Sequence, residues 1–115
     1  MEGTWQITAF ASSSTSALGD TNAQAYLGKQ AVITSDSISF DGQTCANVSV
    51  QRHTVSLAGF LGLEYATLAA KLGLTQDQID LIDTTCTVTG FQSFVQADLN
   101  TLVININGTF FVMRK

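Results

Sequence analysis

Few residues of this chain have the types and spacing that a catalytic or metal-binding site requires. His53 is the only histidine, and a serine hydrolase would also need a nucleophile on a sharp turn and an acid that orients the imidazole. The sequence contains no G-x-S-x-G or comparable turn. Asp77, Asp80 and Asp83 recur at every third position but lack the ligand spacing and closing glutamate of a calcium loop. We therefore predict no catalytic residue, no metal site and no cofactor.

The two cysteines, Cys45 and Cys86, match no zinc or redox spacing. We predict that they form one disulfide, the alternative being two buried thiols that act as small apolar side chains. A bridge that closes a loop of about forty residues would stabilise the fold by roughly 3 to 4 kcal/mol, and it would indicate an oxidising compartment. Because no signal peptide precedes Gly3, we interpret Met1 as a start residue added to a mature, exported chain.

Composition narrows the classes of partner. The net charge is −4, and the five lysines and arginines are scattered along the 115 residues. Nucleic acids and anionic membrane surfaces require a dense basic footprint, so we predict neither as a partner. The longest apolar run, residues 57–63, is too short to span a membrane and ends at Glu64. The length and the absence of a linker predict one domain, residues 1–115.

The last fifteen residues, 101–115, predict a β-hairpin. Two alternating apolar runs flank Asn107-Gly108, the dipeptide best suited to the two positive-φ positions of a type I′ turn. A two-residue turn fixes the register, which predicts the pairs Ile106/Thr109, Asn105/Phe110, Ile104/Phe111, Val103/Val112, Leu102/Met113 and Thr101/Arg114. One face is wholly apolar and the other is apolar near its middle, so both sides of the sheet are expected to be covered.

The rest of the chain is expected to be mainly β (α+β). Period-2 alternation and turn signals predict further strands over residues 4–10, 30–34, 37–40, 44–54, 79–89 and 91–97. A three- and four-residue period over residues 57–72 predicts one helix, or a loop followed by a helix over 64–72 that ends before Gly73. A short helix is expected at 22–27, capped by Thr21. Together these elements predict an antiparallel sheet of seven or eight strands with one substantial mid-chain helix.

The two ends of the chain resemble the calycins, the superfamily of lipocalins and their relatives. Gly3-Thr4-Trp5 matches the G-x-W motif of their first strand, and the resemblance implies that Arg114 on the last strand packs across Trp5 to close a β-barrel. The chain is also similar to short lipocalin-like proteins of the bacterial periplasm, a resemblance carried by Leu27-Gly28-Lys29, Phe40-Asp41-Gly42, Cys45 and the segment 110–114. This implies a periplasmic or secreted location.

These observations lead to an expected function. We predict a non-enzymatic, exported small β-barrel that binds a protein partner, as inhibitor-like periplasmic barrels do, through its loops and helix. The alternative is a lipocalin-like carrier of a small apolar ligand inside the barrel. Large side chains on the loops and helix are the expected contacts in either case, namely Leu18, Tyr26, Phe60 and Tyr65. The sequence predicts no oligomeric state.

Overall fold

A computed structural model describes residues 1–14 and 16–115 as a curled antiparallel sheet with three short helices. The strands are β1 (Gly3–Ser12), β2 (Gln30–Ile33), β3 (Ile38–Phe40), β4 (Gln43–Cys45), β5 (Val50–Ser56), β6 (Gln78–Thr84), β7 (Ser93–Asp98), β8 (Thr101–Ile106) and β9 (Thr109–Arg114). The helices are α1 (Asp20–Gln24), α2 (Leu57–Leu61) and α3 (Tyr65–Leu72). The mainly β class is therefore confirmed.

The prediction of seven or eight strands was wrong, because the described residues form nine, and the predicted mid-chain helical region is divided into α2 and α3. Two backbone features account for most of the difference. Asn47 adopts φ 55° between β4 and β5, so the stretch 44–54 does not continue as one strand. Gly62 adopts φ 86° between α2 and α3, which interrupts the apolar helical period.

The strand order is β4-β3-β2-β1-β9-β8-β7-β6-β5, and the closed barrel was also a wrong prediction. The first and last strands do pair, but they do so in the middle of the sheet and not at a closing seam. The two edges, β4 and β5, share no ladder in the described parts of the chain. The result is a half-barrel, whose edge strands are consecutive in sequence.

The predicted disulfide holds the two sides of this half-barrel together. Cys45 ends β4 at one edge, and Cys86 follows β6 near the other edge. The two residues are bonded, with their Cα atoms 5.6 Å apart. Beside the bridge, Thr85 N donates to Ser49 O. One end of the half-barrel is thus fastened covalently, where strand pairing does not close it.

The hairpin prediction was correct in every pair. All six predicted pairs of β8 and β9 are present, and Asn107 and Gly108 have φ 52° and 87°. Both faces of the hairpin are buried, as expected from its two apolar rows. The adjacent strand β1 pairs with β9 from Gln6/Arg114 to Ser12/Thr109, with one bulge between Ile7 and Ala9.

Buried side chains form one cluster on each side of the sheet. The inner cluster takes residues from both halves of the strand order, as expected inside a curl, and includes Trp5, Ile7, Phe40, Ile82, Phe91, Phe94, Leu102, Ile104, Phe111 and Met113. The outer cluster joins α2 and α3 to the sheet and includes Leu57, Leu61, Leu68, Leu72, Ile79, Val95, Val103, Phe110 and Val112. Both sides of the central sheet are therefore dry.

Local signals explain the two helices of the outer cluster. Ser56 caps α2, since its Oγ accepts from Gly59 N at 2.9 Å. Helix α3 ends at Gly73, whose left-handed conformation (φ 71°) is typical of a helix C-terminus. Leu68 and Leu72, one turn apart, are the buried residues of α3. The predicted helical body over 64–72 and its end before Gly73 are confirmed.

The disulfide should contribute a large share of the stability. Replacing Cys45 and Cys86 together by alanine is expected to lower the free energy of unfolding by roughly 3 to 4 kcal/mol, because the bridge spans 41 residues of the unfolded chain. Urea denaturation with and without reductant measures this effect. Reduced wild type should unfold at the same urea concentration as the double variant. A decrease in the free energy of unfolding below about 1 kcal/mol would contradict the prediction.

The β8–β9 turn offers a second test. Gly108→Ala should lower the free energy of unfolding by about 1 to 3 kcal/mol more than Gly19→Ala does. Both glycines have positive φ, 87° and 79°, but a Cβ at Gly108 would lie 2.9 Å from Ser16 Cα, whereas at Gly19 it meets nothing within 4 Å. Thermal and urea unfolding of the two variants compare the costs. Equal losses would show that the close contact with Ser16 is not a constraint.

Candidate functional site

An open groove lies where α2 ends beside the β8–β9 hairpin. Its volume is about 490 Å³, and its walls include Ser14, Phe60, Leu63, Glu64, Asn105 and Phe110. We call it the helix-edge groove. Three segments meet there, namely the end of α2 with the connection to α3, the chain after β1, and the hairpin turn. A surface built from an appended helix and two loops on a rigid sheet is a common place for recognition.

The sequence of α2 explains the apolar wall of the helix-edge groove. Leu57 and Leu61 lie one turn apart and are buried in the outer cluster. Phe60 is left half-buried at the rim, where its ring meets the edge of the Phe110 ring at a centroid distance of 5.4 Å. Gly62 then turns the chain, and Leu63 projects into solvent with a relative exposure of 104%.

Hydrogen bonds hold the polar wall of the groove in place. Ser14 N donates to Glu64 Oε2 at 2.9 Å, which ties the chain after β1 to the α2–α3 connection. The hydroxyl of Thr109 lies 2.9 Å from Ser12 Oγ and 2.8 Å from Ser16 Oγ. The buried Thr109 side chain thereby fastens both ends of this stretch to the hairpin. The groove is therefore shaped before any partner arrives.

The four predicted contact residues do not form one surface. Phe60 lines the helix-edge groove, whereas Tyr65 is 49% exposed and borders a separate cleft of about 190 Å³ on α3. Leu18 and Tyr26 pack on the inner cluster instead. The Tyr26 ring lies 5.1 Å from that of Phe111 and 6.2 Å from that of Phe40. The structure thus places two of these side chains on each side of the sheet.

Aromatic side chains pack against one another inside the curl of the sheet. Phe91 contacts Phe40 and Phe94 edge-on, at centroid distances of 5.5 and 5.2 Å, and Trp5, Phe91, Phe94 and Phe111 have no solvent exposure. The indole Nε1 of Trp5 donates to Met1 O at 2.9 Å. The bulk that a small barrel can hold is supplied here by the chain itself.

The predicted packing of Arg114 across Trp5 does not match the structure. Arg114 follows Met113, a residue of the inner cluster, so its side chain leaves the opposite face of β9 from the one on which Trp5 lies. Its Nη1 donates to Thr101 Oγ1 at 2.9 Å. The cation over the Trp5 ring is Lys115, with Nζ 5.6 Å from the ring centroid. The two residues therefore do not close a barrel.

A second, more polar groove runs along β5 to β7. Its volume is about 500 Å³, and at its centre the guanidinium of Arg52 donates to Asp80 Oδ2 at 3.1 Å and to Gln96 Oε1 at 2.9 Å. Arg52, Asp80 and Gln96 lie on three neighbouring strands. Their spacing in sequence does not reveal the strand order, so it could not predict this cluster. His53 is half-exposed with Nε2 3.5 Å from Asp83 Oδ2, on a surface strand as expected.

Charge and metal-binding groups add few further features. A hydrogen bond to Asp41 raises the pKa of Lys29, and burial opposes the rise. Within residues 1–14 and 16–115, no three His, Cys, Asp or Glu side chains lie together as a metal ion would require. The helices in those ranges are too short or too polar to cross a lipid bilayer.

Comparison with protein-family models, curated proteins and solved structures found no match to this chain. The structural class of the protein is therefore described from its fold alone. The chain is a mainly β protein with a nine-stranded half-barrel sheet, one disulfide and a helical cover on its outer side.

The two apolar walls of the helix-edge groove should respond differently to truncation. Leu63→Ala should leave the free energy of unfolding within about 0.5 kcal/mol of wild type, because the side chain is fully exposed. Phe60→Ala should lower it by about 1 to 3 kcal/mol, because the ring packs on Phe110. Urea unfolding measures both. A similar loss in the two variants would mean that Leu63 packs in solution and is not free for a partner.

Proposed function

We propose that this protein is a non-enzymatic, exported binding module that holds another protein in the helix-edge groove. The observation that carries the proposal is the contrast between a filled interior and an open apolar groove outside it. A carrier of apolar molecules needs a cavity enclosed by apolar walls, and aromatic rings occupy that space here. A protein partner instead needs an exposed apolar anchor beside a pocket.

Leu63 and Phe60 together supply these two features. Leu63 extends fully into solvent, and burying such a side chain in an interface contributes roughly 1.5 to 3 kcal/mol. The half-buried Phe60 ring beside it gives a rigid apolar wall that a partner's side chain can cover. Glu64 and Asn105 supply polar groups at the rim. This arrangement of an apolar centre with a polar rim is typical of protein interfaces.

Charge and compartment narrow the proposed partner. With a net charge of −4, the protein attracts a basic partner more rapidly than an acidic one. The formed disulfide fits an oxidising compartment, and the proposed location is the periplasm or the extracellular space. The resemblance to short periplasmic barrels supports an inhibitor-like role, and the net charge supports a basic target; both are part of the proposal.

Variants at two exposed leucines test the proposal. Tagged wild type, Leu63→Asp and Leu99→Asp are used to capture proteins from an extract of the producing organism, and mass spectrometry identifies what each retains. Leu99 is the matched control, since it is 82% exposed but borders the polar groove. We expect one basic protein to bind wild type and Leu99→Asp with similar affinity and Leu63→Asp at least about tenfold more weakly.

Three outcomes would overturn the proposal. The first is a captured protein that binds all three forms equally. The second is capture of no protein by wild type. The third is an apolar small molecule that co-purifies with the protein in native mass spectrometry, since that would establish the carrier alternative. Binding of the identified protein to purified wild type is then measured by calorimetry, to confirm direct contact.

A further inference from the structure

The two edges of the sheet differ in how they are protected. The edge strand β4 has three residues and ends at the disulfide. The edge strand β5 has seven residues, Val50–Ser56, and all except Val55 are well exposed. It pairs with β6 along its whole length without a bulge and contains neither proline nor lysine. Bulges, prolines and charged side chains are usual devices that prevent an edge from pairing. β5 lacks the first two, and its one arginine, Arg52, is paired with Asp80 of its own chain.

Hydrogen bonds at both ends of β5 show which backbone groups face outward. Thr85 N donates to Ser49 O, and Leu57 N donates to Asp77 O. Hydrogen-bonded positions alternate along an antiparallel ladder, so Gln51, His53 and Val55 also direct their backbone groups to β6. The N–H and C=O groups of Val50, Arg52, Thr54 and Ser56 therefore point away from the sheet. No other strand lies beside them in the described residues.

We propose that this edge pairs with the same edge of a second copy of the chain, antiparallel about a two-fold axis at His53. This register places Arg52 opposite Thr54 and Val50 opposite Ser56, and it overlaps all seven residues. Each of these pairs brings outward N–H and C=O groups together, because all four residues hydrogen-bond on the free side. His53 meets His53 in a non-hydrogen-bonded pair, in which side chains lie closest. Two half-barrels then share one continuous sheet.

Local charge favours a second copy over a strongly charged segment of another protein. The Arg52 guanidinium is already paired with Asp80, and His53 lies beside Asp83. The charge of Arg52 is thus offset within its own chain, so the edge does not present a strong cationic site to another protein. A two-fold axis at Arg52 would bring two guanidinium groups together, which is unfavourable. An axis at Thr54 would overlap fewer residues, so the axis at His53 is preferred.

The first experiment uses charge at two neighbouring positions. Thr54→Lys places a cation opposite Arg52 of the second copy, while within its own chain position 54 is opposite Asp80, so the fold is not weakened. Gln51→Lys is the matched control, because it adds the same charge opposite Asp83 and faces only Val55 of the second copy. Sedimentation velocity and light scattering from about 10 µM to 1 mM cover the range of a weak association.

We expect wild type and Gln51→Lys to form dimers in this range and Thr54→Lys to have a dissociation constant about tenfold higher, from two symmetric like-charge pairs. A monomeric wild type up to the highest concentration would overturn the proposal. An equal effect of the two lysines would do the same. A particle larger than a dimer, or one that contains a foreign chain, would also contradict the two-fold arrangement.

A cysteine cross-link tests the register directly. His53→Cys should form an intermolecular disulfide under mild oxidation, because the two side chains meet at the axis within bonding distance. Gln51→Cys should cross-link far more slowly, since its copy lies about 14 Å away along the strand. Non-reducing electrophoresis follows the rates, and peptide mapping checks that the Cys45–Cys86 bond is retained. Equal rates would exclude the proposed register, whatever the oligomeric state.

Discussion

The register of the β8–β9 hairpin is the constraint on which the rest of the structure depends. Asn107 and Gly108 accept the positive φ angles of a two-residue turn, and this turn assigns alternate residues of both strands to the inner or the outer cluster. Because β1 pairs with β9, the same register decides that the Trp5 side chain lies inside the curl. A slip of one residue would exchange the two apolar rows and place Phe111 under the helices, where Phe110 now packs.

The disulfide joins the two sides of the half-barrel, which strand pairing does not connect. The central strands can bury both faces because α2 and α3 cover the outer face and the curl covers the inner one. At the edges this arrangement fails, because β4 is short and Asn47 turns the chain away from it. The Cys45–Cys86 bond fastens the sheet at this point. It keeps the two halves of the inner cluster in contact without a ninth strand pairing, which would be needed to join β4 to β5.

Apart from the disulfide, which the presence of two cysteines in the sequence suggested, the features that the sequence predicted correctly are those decided by near neighbours. The turn dipeptide fixed the hairpin pairs, and the apolar period with Gly73 fixed the end of α3. Strand order depends on contacts between distant segments, which no local pattern contains. For this reason the calycin resemblance implies a closed barrel where the structure has a half-barrel, and it assigns to Arg114 the place over Trp5 that Lys115 holds. Periodicity also assigns a side chain to one face of its own helix or strand, but it does not say on which side of the sheet that face lies. The sequence therefore predicts Tyr26 and Phe60 as contacts of one partner, although the sheet separates them.

Two parts of this molecule have capacity for interaction that folding does not use. The outward backbone groups of β5 meet no strand in the described residues. Leu63 is fully exposed, although Leu61, two residues before it, is buried in the outer cluster. Selection for stability alone does not explain either feature, since a charged side chain at position 63 would be better solvated and a proline or lysine in β5 would block its edge. Buried apolar side chains pack inside the curl, and both proposed binding sites therefore lie on the outer surface. The proposed partner in the groove and the proposed second copy at the edge would bind to separate parts of the surface. A dimer about His53 would present two grooves to one target, which would raise the effective affinity without any new contact.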